Sequence, residues 1–380
     1  MAEKALISIV IPCLNEEKTI GDVIRQAQEG FTRAGYPYEI VVADNGSIDA
    51  SRTISESAGA RVVDVQKKGY GIALRTGIEA AHGTVVLFGD ADLTYDFREG
   101  PTLVDELFKG SAGLVIGSRL RGTIEDGAMP LWHRYVGTPI LTALIALLFG
   151  TTLSDSNSGF RAFRVQDFKN WRIHSDGMEI CSEVIINCLR SGQTISEIPI
   201  TLRASLKDRV PHLSTWRDGM RNLLIILSRA PQAFTYPGLL CVAASALVAI
   251  PSAMFGHITI GAFSLFEHHS MILAIMVGFI GSQSLIYGLL LDAPSEKPLA
   301  FNRYLLRINE VVLLKLLGLL IVLIAGFIIF IFTRWIQHHF NNINYLLPSL
   351  AVLYAAVVIG TLGFGIFIAQ LQQNAPAKHG

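Results

Sequence analysis

Four apolar stretches in the second half of the chain, at about residues 235–255, 270–291, 311–333 and 348–371, constrain the fold more than any other feature. Each is long enough to cross about 30 Å of hydrocarbon, where a helix satisfies the backbone of a single segment from within. A buried helical domain in water is the rival reading, but a chain with 51% hydrophobic and only 16% charged residues favours the membrane. The loop at 256–269 has no Lys or Arg. The next loop holds Lys297, Arg303 and Arg307, the third only Arg334, and the tail ends with Lys378. Arg217, Arg221 and Arg229 precede the first stretch. By the positive-inside rule, four spans then leave both termini in the cytoplasm.

The first half has a different character. Short β-branched runs, "LISIVIP" (6–12), "YEIVVAD" (38–44), "ARVVDV" (60–65), "TVVLFGD" (84–90) and "AGLVIGS" (112–118), alternate with segments of helical spacing that end in glycine. Strands apolar on both faces, separated by helices, mean a mainly parallel sheet covered on both sides. Ligands of such sheets bind beyond the carboxyl ends of the strands, where Asp44, Asp90 and Asp92 stand. The expected division is a domain over 1–230 and a membrane domain over 231–380. The opening "MAEKALISIVIP" lacks the long apolar core of a signal peptide, so the first half is expected in the cytoplasm. A net charge of zero argues against nucleic acid as a partner. The four cysteines have no metal-binding spacing and read as small hydrophobes. "MPLWHRYVGTPILTALIALLFG" (129–150) is open to three readings: a fifth span, a core helix, or helices in the membrane interface. A fifth span would carry the residues after it to the wrong side of the membrane, so the interfacial reading is preferred.

Chemistry concentrates at the strand ends. Asp90 and Asp92, one residue apart after an apolar strand, repel each other unless a cation lies between them. Mg²⁺ or Mn²⁺ bridging carboxylates and a diphosphate is the chemistry this pair suits, although a solvated turn explains an isolated pair equally well. Upstream, "KKGYGIALRTGIEAA" (67–81) places Lys68 and close glycines at a helix start, suited to a phosphate or to tight packing. "VIPCLNEE" (10–17) and "VVADNGSIDAS" (41–51) end strands in polar residues that could hold a base and ribose, or cap a helix.

In this order the four segments resemble the nucleotide-binding half of a GT-A glycosyltransferase of family 2. The likeness continues through "VIGSRLRG" (115–122), "PLWHRYVGTPIL" (130–141), "LSDSNSGFRAFR" (153–164), "DGMEICSEVIINCLRSGQTISEIPIT" (176–201) and "TLRASLKDRVPHLSTWRDGMRNLLIIL" (201–227). Those segments look like the polyprenyl-phosphate glycosyltransferases, the group of dolichyl-phosphate mannose synthases and bactoprenol glucosyltransferases. The resemblance covers about residues 6–230. It implies a Rossmann-like GT-A catalytic domain followed by an all-α domain of four membrane helices. It also implies inverting transfer of one sugar, from a UDP-sugar in preference to a GDP-sugar, to undecaprenyl phosphate.

By the same resemblance, Pro12, Leu14, Asn15, Glu16, Asp44, Gly46, Ser47, Lys68, Gly69, Asp90 and Ala91 hold the nucleotide, and Asp90 and Asp92 the metal. A lipid phosphate is already an anionic nucleophile, so the need is for positive charge more than for a general base. Arg119, Arg134 and Arg161 are expected to supply it, each with a structural ion pair as the competing role. Asp155 is expected near the acceptor, orienting it or holding its arginines, with a turn or capping role as the alternative. Glu179 and Glu183, four apart on one helical face, line the sugar site or pair with a neighbouring base. Arg209 and, more weakly, Lys207 are expected at the lipid headgroup or acceptor.

Three departures stand out. Thr94 occupies a position where relatives place a glutamine near the metal. "SLKDRVPHLSTW" replaces a glycine-bearing segment. The Q-x-x-R-W motif of processive relatives is missing, and "TRWIQ" (333–337) is not its equivalent, so a single transfer is expected. Two rival functions remain open: a hydroxyl acceptor on a lipid or glycan, and a degenerate transferase domain that only regulates the spans. Contacts between spans leave room for a homo-oligomer.

Overall fold

A computed structural model describes residues 5–110, 112–205, 215–255, 258–260, 263–265, 268–295, 297–338 and 345–374. The chain divides into two compact units, Met1–Ile226 and Leu227–Gly380. Arg209, Lys207 and Lys378 lie outside the described residues.

The first unit opens with β1 (Ile7–Cys13), α1 (Ile20–Ala34), β2 (Tyr38–Asp44), α2 (Ser51–Ser57), β3 (Arg61–Asp64), α3 (Tyr70–Glu79) and β4 (Val85–Phe88). It continues with α4 (Gly100–Lys109), β5 (Ala112–Ile124), a π-helical turn His133–Gly137 running into α5 (Thr138–Phe149), and β6 (Arg161–Arg164). Then come α6 (Val165–Trp171), α7 (Ile180–Arg190), β7 (Thr194–Leu202) and α8 (Thr215–Ser228). The seven strands form one sheet in the order β3-β2-β1-β4-β6-β5-β7. All neighbours are parallel except β6, which runs antiparallel to β4 and β5.

Parallel strands buried on both faces explain the apolar runs. In β1, Ile7, Ile9 and Ile11 pack into one core with α1 and α4, while Val10 faces a second core built with α3 and α7. Gly77 lets α3 lie on β1, since a Cβ there would come within 2.5 Å of Val10. β6 and β7 are absent from the strand expectation for physical reasons. β6 is four residues long with an arginine at each end, and β7 carries Pro199, which an edge strand tolerates.

Segment 129–150 packs one face on the core and leaves another exposed. Ile145 is buried, and Leu141, Leu144 and Leu148 pack on the second core. Leu131, Trp132, Tyr135, Ile140 and Leu147 are exposed.

The second unit holds α9 (Gln232–Phe255), a short hairpin of β8 (Ile258–Ile260) and β9 (Phe263–Leu265), α10 (His268–Asp292), α11 (Ala300–Leu306) and α12 (Glu310–Gln337). α13 (Leu346–Tyr354), a π turn Ala355–Ile359 and α14 (Gly360–Asn374) form its last long helix. Four of these helical stretches, of 24, 25, 28 and 28 residues, are long and apolar enough to cross a membrane. Small residues join α9 to α10: a Cβ on Gly281 would lie 2.7 Å from that of Cys241, and one on Gly238 2.6 Å from the Leu285 nitrogen.

Candidate active site

The acidic pair comes after β4, across Gly89, where a Cβ would sit 2.7 Å from the rings of Phe97 and Phe160. The Tyr70 hydroxyl donates to Asp90 Oδ1 at 2.8 Å. Burial, and then the Asp90 charge, push the Tyr70 phenol well above its ordinary pKa, so it remains a donor. Asp92 is buried, and its Oδ1 accepts from the amide and hydroxyl of Thr94 at 3.1 and 2.5 Å. Thr94 thus orients a carboxylate of the pair.

Among the described residues no group of three or more His, Cys, Asp or Glu comes together as a metal cage. The protein offers two carboxylates in sequence, Asp90 and Asp92. Mg²⁺ or Mn²⁺ is commonly held by one or two carboxylates, with substrate phosphate and water completing the shell. The donor set fits such an ion.

Beside the pair, the loops after β1 and β2 are laced together. Asn15 donates its amide to Ser47 Oγ at 3.0 Å and accepts the Ile48 amide on Oδ1 at 2.9 Å. The Glu16 amide donates to Ser51 Oγ at 2.8 Å, and Asp44 Oδ1 accepts the Ser47 amide at 3.0 Å. Asn45 Oδ1 accepts the amide of Gly69 at 3.3 Å, tying this shelf to the start of α3. Asn15 adopts φ 55°, one of three non-glycine residues in the left-handed region among those described, and its side-chain bond holds it there.

A cavity of about 470 Å³ opens between these parts. Pro12, Leu14, Glu16, Lys68, Gly69, Asp90, Ala91 and Asp92, all named from the sequence, line it. Asn15, Asp44, Gly46 and Ser47 do not; Asn15, Asp44 and Ser47 build the shelf behind it. Sequence reasoning misses Cys13, Asn45, Tyr70, Ala73, Gly177, Met178 and, above all, Arg217, Asp218 and Arg221 as site residues. A signal is present in "TWRDGMRN", where Arg217 and Arg221 are spaced i, i+4 on one helical face, but cations just before an apolar stretch read first as the flank of a span. Asn222 accepts from the Ser182 hydroxyl at 2.8 Å and thereby fastens α8 to α7. Burial pushes the Cys13 thiol up to about 12, so this core cysteine is not a thiolate nucleophile at neutral pH.

Other sequence-named residues fall outside the cavity lining. Arg119 grips the fully buried Asp155 through Nε at 2.7 Å, Nη2 at 2.8 Å and its backbone amide at 3.0 Å. Burial works to lower the Arg119 pKa, but Tyr95, Asp155 and Asp90 raise it overall. Arg134 sits in the π turn with its guanidinium 5.4 Å from the Tyr135 ring centre.

Two expectations need correction. Arg161 is fully buried, and its guanidinium donates to the carbonyls of Ser158, Cys181 and Ser156 at 2.8, 2.6 and 2.8 Å. With its donors turned to backbone, it shapes the 156–158 loop and does not line the cavity. Glu183 is also buried, and its Oε2 accepts the amides of His174 and Ser175 at 3.0 and 2.8 Å. It thereby fixes the 174–177 loop, which lies on Gly69 and Gly71. A Cβ on Gly71 would collide with the Ser175 carbonyl oxygen, so the glycine spacing serves close packing of protein on protein here. Glu179 differs from Glu183. Its Oε1 accepts the amide of Gly177, a cavity residue, at 3.1 Å, while its Oε2 is buried without a hydrogen-bond partner among the described residues.

The profile of glycosyl transferase family 2 matches residues 8–172. The dolichyl-phosphate hexose transferase of Haloferax volcanii is 30% identical over 200 residues, covering 52% of this chain and 82% of that one. The chain belongs to glycosyltransferase family 2. The low-salt glycan biosynthesis hexosyltransferase Agl6 of Haloferax volcanii is 36% identical over 233 residues, 61% of this chain; the match spans only 56% of Agl6. Among solved structures, glucosyl-3-phosphoglycerate synthase from Mycobacterium tuberculosis, in complex with Mn²⁺, UDP and glucosyl-3-phosphoglycerate, superposes with TM-score 0.50 and 25% identity. That match covers 60% of this chain and 80% of the synthase. The first unit is therefore a GT-A-like transferase domain, and the four long apolar helices after it fit a transmembrane region.

Proposed function

We propose that this enzyme transfers one sugar from a nucleotide diphosphate sugar, UDP-linked in preference to GDP-linked, to undecaprenyl phosphate. The product would be a lipid-linked monosaccharide for cell-surface glycans. The observation that carries the reading is a single cavity lined both by the acidic pair Asp90 and Asp92 and by the cations Lys68, Arg217 and Arg221. Two anionic substrates repel each other, and a site that unites them needs this mixture. The names of the relatives, a dolichyl-phosphate hexose transferase and a hexosyltransferase, support the substrate class.

Asp90 and Asp92 would hold Mg²⁺ or Mn²⁺, which when bound neutralises charge on the leaving diphosphate. The shelf at Pro12–Glu16 and Asn45 receives the nucleoside. An oxygen of the lipid phosphate attacks the anomeric carbon in line as the bond to the diphosphate oxygen breaks, which inverts the centre and releases the nucleoside diphosphate. No proton need leave the nucleophile. Lys68, Arg217 and Arg221 screen the approaching phosphates, and Arg119, held by Asp155, contributes positive charge beside Asp90. Glu179 holds the amide of Gly177 in the cavity wall, on the side where the sugar would lie. Residues 1–230 form the cytoplasmic catalytic domain in this reading. Residues 231–380 anchor it in the cytoplasmic membrane with both termini inside, as the loop charges support.

The test is transfer by the purified full chain in detergent, given undecaprenyl phosphate, a divalent cation and a panel of labelled UDP- and GDP-sugars. Label should enter the lipid phase from one donor and disappear with EDTA. Nucleotide binding without lipid label from any donor would turn the assignment to a hydroxyl acceptor, with Glu16 or Asp218 in the cavity as the base.

A further inference from the structure

α10 ends at Asp292, α12 begins at Glu310 and α14 ends at Asn374, so residues 293–295 and 297–309 and the last turn of α14 lie at one end of the second unit. The start of α9 is at the same end. Asn302 Nδ2 donates to Thr235 Oγ1 at 3.1 Å and to Asp292 Oδ2 at 2.9 Å, and Asp292 Oδ2 also accepts the Leu299 amide at 2.7 Å. Thr235, Asp292 and Asn302 are all buried, and their network fixes α11 and the arginines Arg303 and Arg307 at its end.

Two adjoining cavities share Leu306 and Gln373 at this end. One, of about 460 Å³, is lined among the described residues by Lys297, Arg303 and Arg307 and by none of their carboxylates; Glu296 lies outside those residues. The other, of about 310 Å³, is lined by Asn309, Glu310 and Gln370. Gln370 is 2% exposed, and its Nε2 donates to the carbonyls of Leu306 and Ile308 at 3.3 and 2.7 Å. Those two bonds decide which way the amide faces and leave Oε1 buried with no donor among the described residues. A positive loop at a membrane surface accounts for the cations alone. It does not account for a buried acceptor beside them, which calls for a hydrogen-bond donor.

We infer that these cavities bind a lipid phosphodiester whose headgroup carries hydroxyls. The phosphate lies among Lys297, Arg303 and Arg307, and a headgroup hydroxyl donates to Gln370 Oε1. Helix ends of a membrane unit stand at headgroup depth, where such ligands are abundant. Two sources share this chemistry: glycerol phospholipids of the bilayer, and a polyprenyl phosphate that carries a sugar. The site itself does not depend on the transfer reaction proposed above.

The test titrates the full chain in neutral detergent with phosphatidylglycerol, phosphatidylmethanol, phosphatidylcholine and inorganic phosphate, reading bound lipid by native mass spectrometry. Phosphatidylglycerol should bind best, with affinity falling about fivefold for each of Arg303→Gln and Arg307→Gln. Both arginines are exposed, so an unchanged melting curve without lipid should show that the variants fold. Phosphatidylmethanol has the same charge and no hydroxyl, and should bind several-fold more weakly. Competition by a polyprenyl phosphate hexose would assign that lipid as occupant; failure to compete would assign the phospholipid. Equal phosphatidylglycerol affinity in the wild type and the double variant would overturn the site. So would inorganic phosphate or phosphatidylcholine binding as tightly. Equal binding of phosphatidylglycerol and phosphatidylmethanol would remove Gln370 from it.

Discussion

The two units place their polar and apolar surfaces in opposite ways. In the transferase unit the largest fully buried side chain is an arginine, Arg161, and the charged Lys68, Asp90, Asp92 and Arg217 converge on one cavity. In the second unit Leu316, Ile321 and Ile329 of α12 are more than half exposed, and Leu313 is the buried residue recorded on that helix. An exposed apolar face of that extent is an aggregation hazard in water, but in lipid it is the ordinary outer surface. Exposure therefore has to be read against the solvent. Converging charges in a cavity mark chemistry in the first unit, whereas a buried polar network such as Asp292–Asn302–Thr235 marks special use in the second.

The comparison is broken most severely at Arg161. Arg161→Met would leave three backbone carbonyls without donors, and a loss of about 3–5 kcal/mol is expected from thermal or denaturant unfolding of the solubilised chain. Arg161→Lys should rescue little, because an ammonium cannot span three carbonyls set for a planar fork. If the methionine variant melts with the wild type, the carbonyl network is not what holds the 156–158 loop.

Next comes Asp92→Ala. Sugar transfer should fall about 100-fold or more while melting and membrane insertion are kept, a separation that a purely structural carboxylate would not give. A smaller effect is expected at Glu39. Burial works to raise its pKa, but hydrogen bonds from Arg61, Ser8 and the His82 amide override this and bring it down to about 2. A folded value below the unfolded one stabilises above about pH 4.5 and is lost as pH falls through about 2. Glu39→Gln should therefore cost about 1–2 kcal/mol at neutral pH, after solvent screening, and progressively less in acid. A stability difference that persists unchanged down to pH 2 would show that charge is not its origin.

The smallest effect sharpens the picture within the second unit. A Cβ on Gly318 or Gly326 of α12 meets nothing within 4 Å, so alanine there should be neutral or stabilise by less than about 1 kcal/mol. Gly281→Ala, at the α9–α10 contact, should destabilise instead. Equal melting temperatures for Gly281→Ala and Gly326→Ala would show that the α9–α10 contact does not depend on close approach.

How much of the molecule is legible in its sequence depends on which interactions are local. Hydrophobic runs bounded by glycine report burial directly, which is why β1 to β5 and the four long helices stand in the sequence within a few residues. β6 does not, because four residues of "RAFR" become a strand only by pairing with β4 and β5 on both sides. The carboxylates at the strand ends are visible because Asp90 and Asp92 are close together in the chain. Arg217 and Arg221 are not, since they reach the cavity from more than a hundred residues further along. Arg161 and Glu183 mislead for a common reason: charge suggests ligand contact, and nothing local tells that a loop backbone has absorbed it.

The antiparallel strand has one more consequence. β6 joins β4, which leads to the acidic pair, to β5, which carries Arg119, by backbone hydrogen bonds on both edges. The two flanks of the site are thus welded through the middle of the sheet and cannot hinge apart as separate lobes. The sheet itself therefore holds Arg119 and the acidic pair in a fixed relation to each other.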